Sequence, residues 1–185
     1  MILVRQYIRE LIRETYFPLE GGDKMRIHHS RKDTRDGDKP QISGFSQKVG
    51  NKPNGFWYEC QDGSSETWKE FCTYGMSSGY RYDSTYSVVL NDYNILFIPN
   101  KRHFEKFYKM YSVPHPADPD GTKGYDKQID WPKVAEHYAG IEICPYLVEK
   151  RMDDDSFWYY GWDVASGCVW DPSGIKEIIQ AGDCE

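Results

Sequence analysis

Two apolar, β-branched runs, residues 86–91 and 94–99, stand back to back with only Asp92 and Tyr93 between them. Two residues leave no room for a crossover helix, so the chain must make a hairpin or a tight change of direction here. Further strand-like runs occupy residues 25–30, 56–60, 140–144, 157–164 and 167–170. Elsewhere the apolar spacing changes from two residues to three or four. Residues 66–74 set Trp68, Phe71 and Cys72 on one helical face, and residues 101–111 do the same with Phe104, Phe107, Tyr108 and Tyr111. Residues 130–138 read as a short helix, capped by Asp130 with Pro132 in its first turn, and residues 175–179 as a closing helical turn. Strands and short helices interleave without a regular βαβ period, which predicts an α+β fold rather than a doubly wound sheet.

At 185 residues the chain has the size of a single domain. Residues 1–20 are expected to form an N-terminal docking helix, with Ile2, Val4, Ile8, Leu11 and Ile12 at helical spacing and a charged outer face. Two long polar connections, 31–54 and 112–128, are of the kind that is functional or mobile in a compact domain.

Composition narrows the function classes. Aromatic residues make up 16% of the chain, enough to build a core and too many for a disordered segment. No run approaches the ~18 apolar residues of a membrane span. The net charge of −6 is uneven: residues 1–52 hold 11 Lys and Arg against 7 Asp and Glu, whereas residues 53–185 hold 12 against 22. That balance argues against a general phosphate-coating role, although not against a local basic patch. The five cysteines are irregularly spaced and form no C-x-x-C, which argues against a disulfide framework and against zinc. With no signal-peptide pattern at the start, the expectation is a reduced, cytoplasmic protein that uses no metal.

Three places could carry chemistry. The run Ile27-His28-His29-Ser30-Arg31 ends a strand, where adjacent histidines point to opposite faces and cannot both line one pocket. In Lys52-Pro53-Asn54-Gly55-Phe56-Trp57-Tyr58-Glu59-Cys60, a Pro-Asn-Gly turn feeds an aromatic strand. Gly55 would let a ligand or another chain approach the backbone, and of Trp57 and Tyr58 one can be core while the other is a stacking wall for a planar ring. Near the C-terminus two carboxylates lie in apolar strand-like surroundings, Glu142 and Asp163, a costly placement unless paired or functional.

Together these pieces resemble the ADP-ribosyltransferase superfamily, in particular its poly(ADP-ribose) polymerase-like and RNA 2′-phosphotransferase-like branches. Ile27-His28-His29-Ser30-Arg31 is similar to that family's strand-end His-Gly-Ser/Thr motif, with His29 where Gly is usual. Gly55-Phe56-Trp57-Tyr58-Glu59 is similar to its Gly-x-Tyr-Phe-Ala strand, with Trp57 at the Tyr position. Glu142 is the nearest match to its later-strand Glu, and Asp163 is the alternative acid. The resemblance implies two small packed β-sheets with short flanking helices around a nucleotide cleft. It implies NAD as substrate, held by His28, His29, Ser30, Arg31, Gly55, Trp57 and Tyr58. Nicotinamide would leave through an oxocarbenium-like transition state stabilised by Glu142, and ADP-ribose would pass to a protein or nucleic-acid acceptor. A different class, a non-catalytic module that holds nucleic acid on exposed aromatics, would instead display them on one open, positive sheet face.

Overall fold

Strand pairing builds most of the molecule. The structure is a computed structural model that describes residues 24–30, 40, 42–74, 84–123 and 125–183. The expected N-terminal helix, Arg31 and most of the 31–41 stretch lie outside the described residues. The strands are β1 (Met25–Ser30), β2 (Phe56–Gln61), β3 (Ser84–Leu90), β4 (Ile95–Ile98), β5 (Ser112–Val113), β6 (Gln128–Ile129), β7 (Gly140–Ile143), β8 (Ser166–Val169) and β9 (Ile175–Asp183). Seven form one mostly antiparallel sheet in the order β4-β7-β8-β2-β1-β3-β9, with β4 and β7 parallel; β5 and β6 make a separate ribbon. The helices are α1 (Trp68–Tyr74), α2 (Lys101–Tyr111), α3 (Trp131–Ala135) and α4 (Val148–Arg151). The mixed α+β class expected from sequence is therefore observed.

The back-to-back runs do not form a hairpin. β3 and β4 stand five positions apart in the sheet and are linked through a single 3-10 turn, Asp92–Asn94. Five strand spacings in a flat sheet would be about 24 Å, whereas the chain from Leu90 to Ile95 reaches about 17 Å. The sheet must therefore curl, bringing β3 and β9 over β4 and β8. Accordingly, Val88 and Leu90 share one apolar cluster with Ile95, Phe97, Phe56, Tyr58 and Val169. Asn91 and Asn94 fasten the link by donating to the Ser173 carbonyl.

The curl divides the sheet into two halves, β4-β7-β8-β2 and β1-β3-β9. They are joined by a β1–β2 ladder of only three pairs, Met25–Gln61, Arg26–Cys60 and Ile27–Glu59. Beyond Ile27, β1 continues against β3 alone.

Strand alternation gives the sheet two distinct faces. The inner face carries Arg26, His28, Phe56, Tyr58, Phe97 and Glu142. The outer face carries His29, Trp57, Glu59, Cys168, Ile141 and Ile143, and is covered by α2, α3 and the 148–164 segment. α2 begins where Asn100 accepts from the His103 N–H, and it buries Phe104, Phe107 and Tyr111 as its periodicity predicts. α3 begins where Asp130 accepts from the Lys133 N–H. Phe107 packs on Trp131 and Trp158 with no solvent exposure, so truncation to Ala would cost about 3–5 kcal/mol.

Three expectations are corrected. Residues 157–164 are not a strand: Asp154–Tyr159 is 3-10 turn, because Trp158, Tyr159 and Trp162 point inward together, which alternation cannot do. Residues 175–179 are not helical but begin β9, because pairing with β3 satisfies their backbone groups. Cys60 and Cys144 form a disulfide, their Cα atoms 6.2 Å apart. They are separated by 84 residues, so their spacing carried no signal; sheet order brings them together. The bond weighs against a reducing compartment. Among the described residues no helix is long and apolar enough to cross a membrane.

Candidate functional site

Where the β1–β2 ladder ends, a cavity of about 330 Å³ opens on the outer face. That volume is at the lower end of the range for small-molecule sites. Strand alternation sets two of its walls. From β1 comes His29, and from β2, two residues apart, come Trp57 and Glu59. Trp68 enters from the start of α1; Trp162 and Asp163 come from the segment leading into β8, and Lys52 from the turn before β2.

Charge organises this cavity. His29 Nε2 lies 3.1 Å from Glu59 Oε1, and the Trp68 backbone N–H donates to Glu59 Oε2 at 2.6 Å. Burial alone would raise the Glu59 pKa, but hydrogen bonds from His29, Trp68 and Gln61 outweigh it and hold the carboxyl below its ordinary value. Lys52 Nζ sits 5.1 Å from the centroid of the Trp57 ring. Burial lowers its pKa, with Asp163 pulling the other way. Asp163 accepts from Arg151 at 3.3 Å and keeps about a quarter of its side chain open to solvent. The rings of Trp57 and Trp162 meet edge to face, their centroids 4.9 Å apart.

The inner face is different. Glu142 is 1% exposed. Arg26 grips it with Nε at 2.6 Å and Nη2 at 3.2 Å, and Tyr58 donates its hydroxyl at 3.1 Å. Tyr58 reaches it by lying across Gly167, where a Cβ would overlap the ring. Burial and the neighbouring carboxylate push the Tyr58 hydroxyl pKa well up, so it stays a donor.

The residues singled out from sequence are thus distributed as follows. His29, Trp57 and Asp163 come together in the cavity. Trp57 and Tyr58 point to opposite faces of β2, as alternation predicts; both border the cavity, Tyr58 being buried and Trp57 half-buried. His28 borders the cavity, with its ring facing inward, 4.2 Å from the Phe56 centroid, and Nδ1 donating to the Trp57 carbonyl at 2.7 Å. Burial lowers its pKa, only partly offset by that bond. Glu142 lies on the opposite face from the cavity, enclosed by its own partners. Ser30 pairs with Ser84 on β3 and does not line the cavity. Gly55 serves strand packing rather than ligand approach, since a Cβ there would collide with the Val169 carbonyl and Cys168 Sγ. Arg31 lies outside the described residues.

Sequence reasoning did not name Glu59, Lys52, Trp68 and Trp162 as site residues. Glu59 was readable, being two residues from Trp57 on one strand and so on the same face, and Lys52 opens the same stretch; Trp68 and Trp162 come from other parts of the chain, the start of α1 and the segment before β8. Compared with known proteins, the chain matches no family model, no curated protein and no solved structure.

Proposed function

We propose that this chain transfers ADP-ribose from NAD to a macromolecular acceptor, with the outer-face cavity as its active site. One observation carries the reading. The two stretches that resemble ADP-ribosyltransferase motifs, on β1 and β2, border a single cavity where their ladder parts, and that cavity also holds a partly open carboxylate. In this reading the nicotinamide ring lies against Trp57, and Asp163, the alternative acid, takes the role first expected of Glu142. As the bond from the ribose C1′ to nicotinamide breaks, its electron pair leaves with nicotinamide, and positive charge grows on the sugar beside the Asp163 carboxylate. The acceptor's nucleophile then bonds to C1′, and its proton passes to His29, which Glu59 orients. The rival reading, a nucleic-acid module with aromatics on an open sheet face, finds less support: among the described residues Phe56, Tyr58 and Tyr86 are buried on the inner face, and helices pack on the outer one.

The test measures NAD affinity by calorimetry and nicotinamide release by chromatography, for wild type and Asp163→Asn. Wild type is expected to bind NAD and release nicotinamide. Asp163→Asn is expected to retain binding and lose about 100-fold or more of the rate. Failure of wild type to bind NAD, or normal release by Asp163→Asn, would overturn the proposal.

A further inference from the structure

The charged side chains that line the cavity are not equally committed. Glu59 is answered by three donors, from His29, Gln61 and the Trp68 N–H. Asp163 is paired with Arg151. Lys52 differs from both: among the described residues it makes no ion pair and donates no hydrogen bond. Its position is nonetheless set. The next residue, Pro53, is buried, and the Lys52 stem passes Gly161, where a Cβ would come within 3.2 Å of Cε. The ammonium stands 5.1 Å from the centroid of the Trp57 ring. It has three donor hydrogens, and one aromatic ring does not use them all.

The surroundings of this ammonium favour an anion. The side chain is open to solvent, so a ligand can reach it, yet desolvation of the ammonium lowers its pKa. Asp163 pulls the other way, and Arg151 adds repulsion. Two cations thus share one carboxylate, which leaves positive charge in excess at this corner of the cavity, and a bound anion would relieve both the desolvation and the repulsion. A second observation is independent of charge. Trp162, another wall of the cavity, is fully buried, and its indole N–H meets no acceptor among the described residues. An indole N–H can only donate, so the wall asks for an acceptor. A phosphate group brings negative charge and several acceptor oxygens together, and lysine binds it as a point charge. An anion held on Lys52 also lies within reach of a flat ring packed on Trp57.

We infer that Lys52 receives the phosphate of a nucleotide whose ring packs on Trp57, and so makes the cavity select nucleotides over nucleosides. This rests on the transfer reading, which supplies the ring: nicotinamide, with the phosphate on the same ribose. Its test does not need catalysis. Binding is measured by calorimetry with three probes: nicotinamide mononucleotide, nicotinamide riboside, which differs only in lacking the phosphate, and inorganic phosphate. The mononucleotide is expected to bind at least about tenfold more tightly than either of the others. Lys52→Met keeps the stem against Gly161 and removes the charge. It is expected to bring the mononucleotide down to the affinity of the riboside and to leave the riboside unchanged, while Lys52→Arg retains the preference. Lys52→Gln gives a second neutral variant should Lys52→Met fold poorly by circular dichroism. A mononucleotide no tighter than the riboside, inorganic phosphate as tight as the mononucleotide, or a preference that survives in the neutral variants would each overturn the inference. Nicotinamide release from NAD separates the two ideas. Release by wild type without a phosphate preference at Lys52 sinks the Lys52 assignment alone, whereas a preference lost in the neutral variants, without release from NAD, sinks the transfer reading alone.

Discussion

Two carboxylates on opposite sides of the sheet, Glu142 and Asp163, are held in opposite states. On the inner face Glu142 is enclosed, with a two-point guanidinium grip and a tyrosine hydroxyl satisfying it. On the outer face Asp163 has one guanidinium partner and an open side, next to a cavity containing His29, Lys52 and Trp57. Burial of a charge is thus no sign of catalysis in itself. A carboxylate whose acceptor sites are filled by protein donors is committed to holding the fold, while one with vacant sites toward a cavity can meet a ligand.

The largest effect that would break this contrast is in stability. Glu142→Ala strands the buried Arg26 guanidinium without its partner, and a loss of about 3–5 kcal/mol is expected by urea denaturation. Any NAD affinity should be unchanged in the fraction that remains folded. If Glu142→Ala instead melts like wild type and abolishes turnover, the assignment of the two faces is reversed. Next comes Asp163→Asn, whose expected rate loss of about 100-fold equals about 2.7 kcal/mol of transition-state stabilisation. Its surface pairing with Arg151 is worth about 1 kcal/mol or less, so its melting temperature should barely move.

The smallest effect is in pH dependence, where the faces titrate separately. His28, on the inner face, has its pKa lowered by burial from an ordinary 6.5. The unfolded chain therefore takes up that proton first as pH falls, and stability should begin to decline below about pH 6.5. Glu59, on the outer face, is held below its ordinary 4.5. The stability it contributes is complete above that value and is lost as pH falls through its folded pKa. Thermal melts from pH 8 to pH 3 should show both limbs, and His28→Gln should flatten the upper one while leaving the lower. A profile unchanged by His28→Gln would show that His28 is not the titrating group.

Much of this arrangement was legible in the sequence where the deciding information is local. α2 was readable from Phe104, Phe107 and Tyr111, because a helix states its own face every three or four residues. The division of Trp57 from Tyr58 followed from strand alternation alone. What was not legible depends on partners far along the chain. That both His28 and His29 border the cavity depends on where β1 leaves β2, and that is fixed by pairing with β3. Glu142 reads as catalytic until Arg26, 116 residues away, is seen to reach it. Cys60 and Cys144 are in the same position, since no spacing rule reports that two strands end side by side. The 175–179 run shows the reverse error, in which a helical reading of Ile175, Ile178 and Ile179 yields to the ladder offered by β3.

The short link between β3 and β4 has a consequence for how the molecule comes apart. Neighbouring strands in sequence serve opposite halves of the sheet, and the cluster between the halves draws Val88 and Leu90 from one and Ile95, Phe97 and Val169 from the other. The shared cluster closes only when both halves are present, although the β4-β7-β8-β2 half also packs a core of its own against α2 and α3. A lesion at the β1–β2 junction is therefore expected to open the shared cluster from both sides at once and to reach β9 as a shift of the unfolding transition rather than as local fraying.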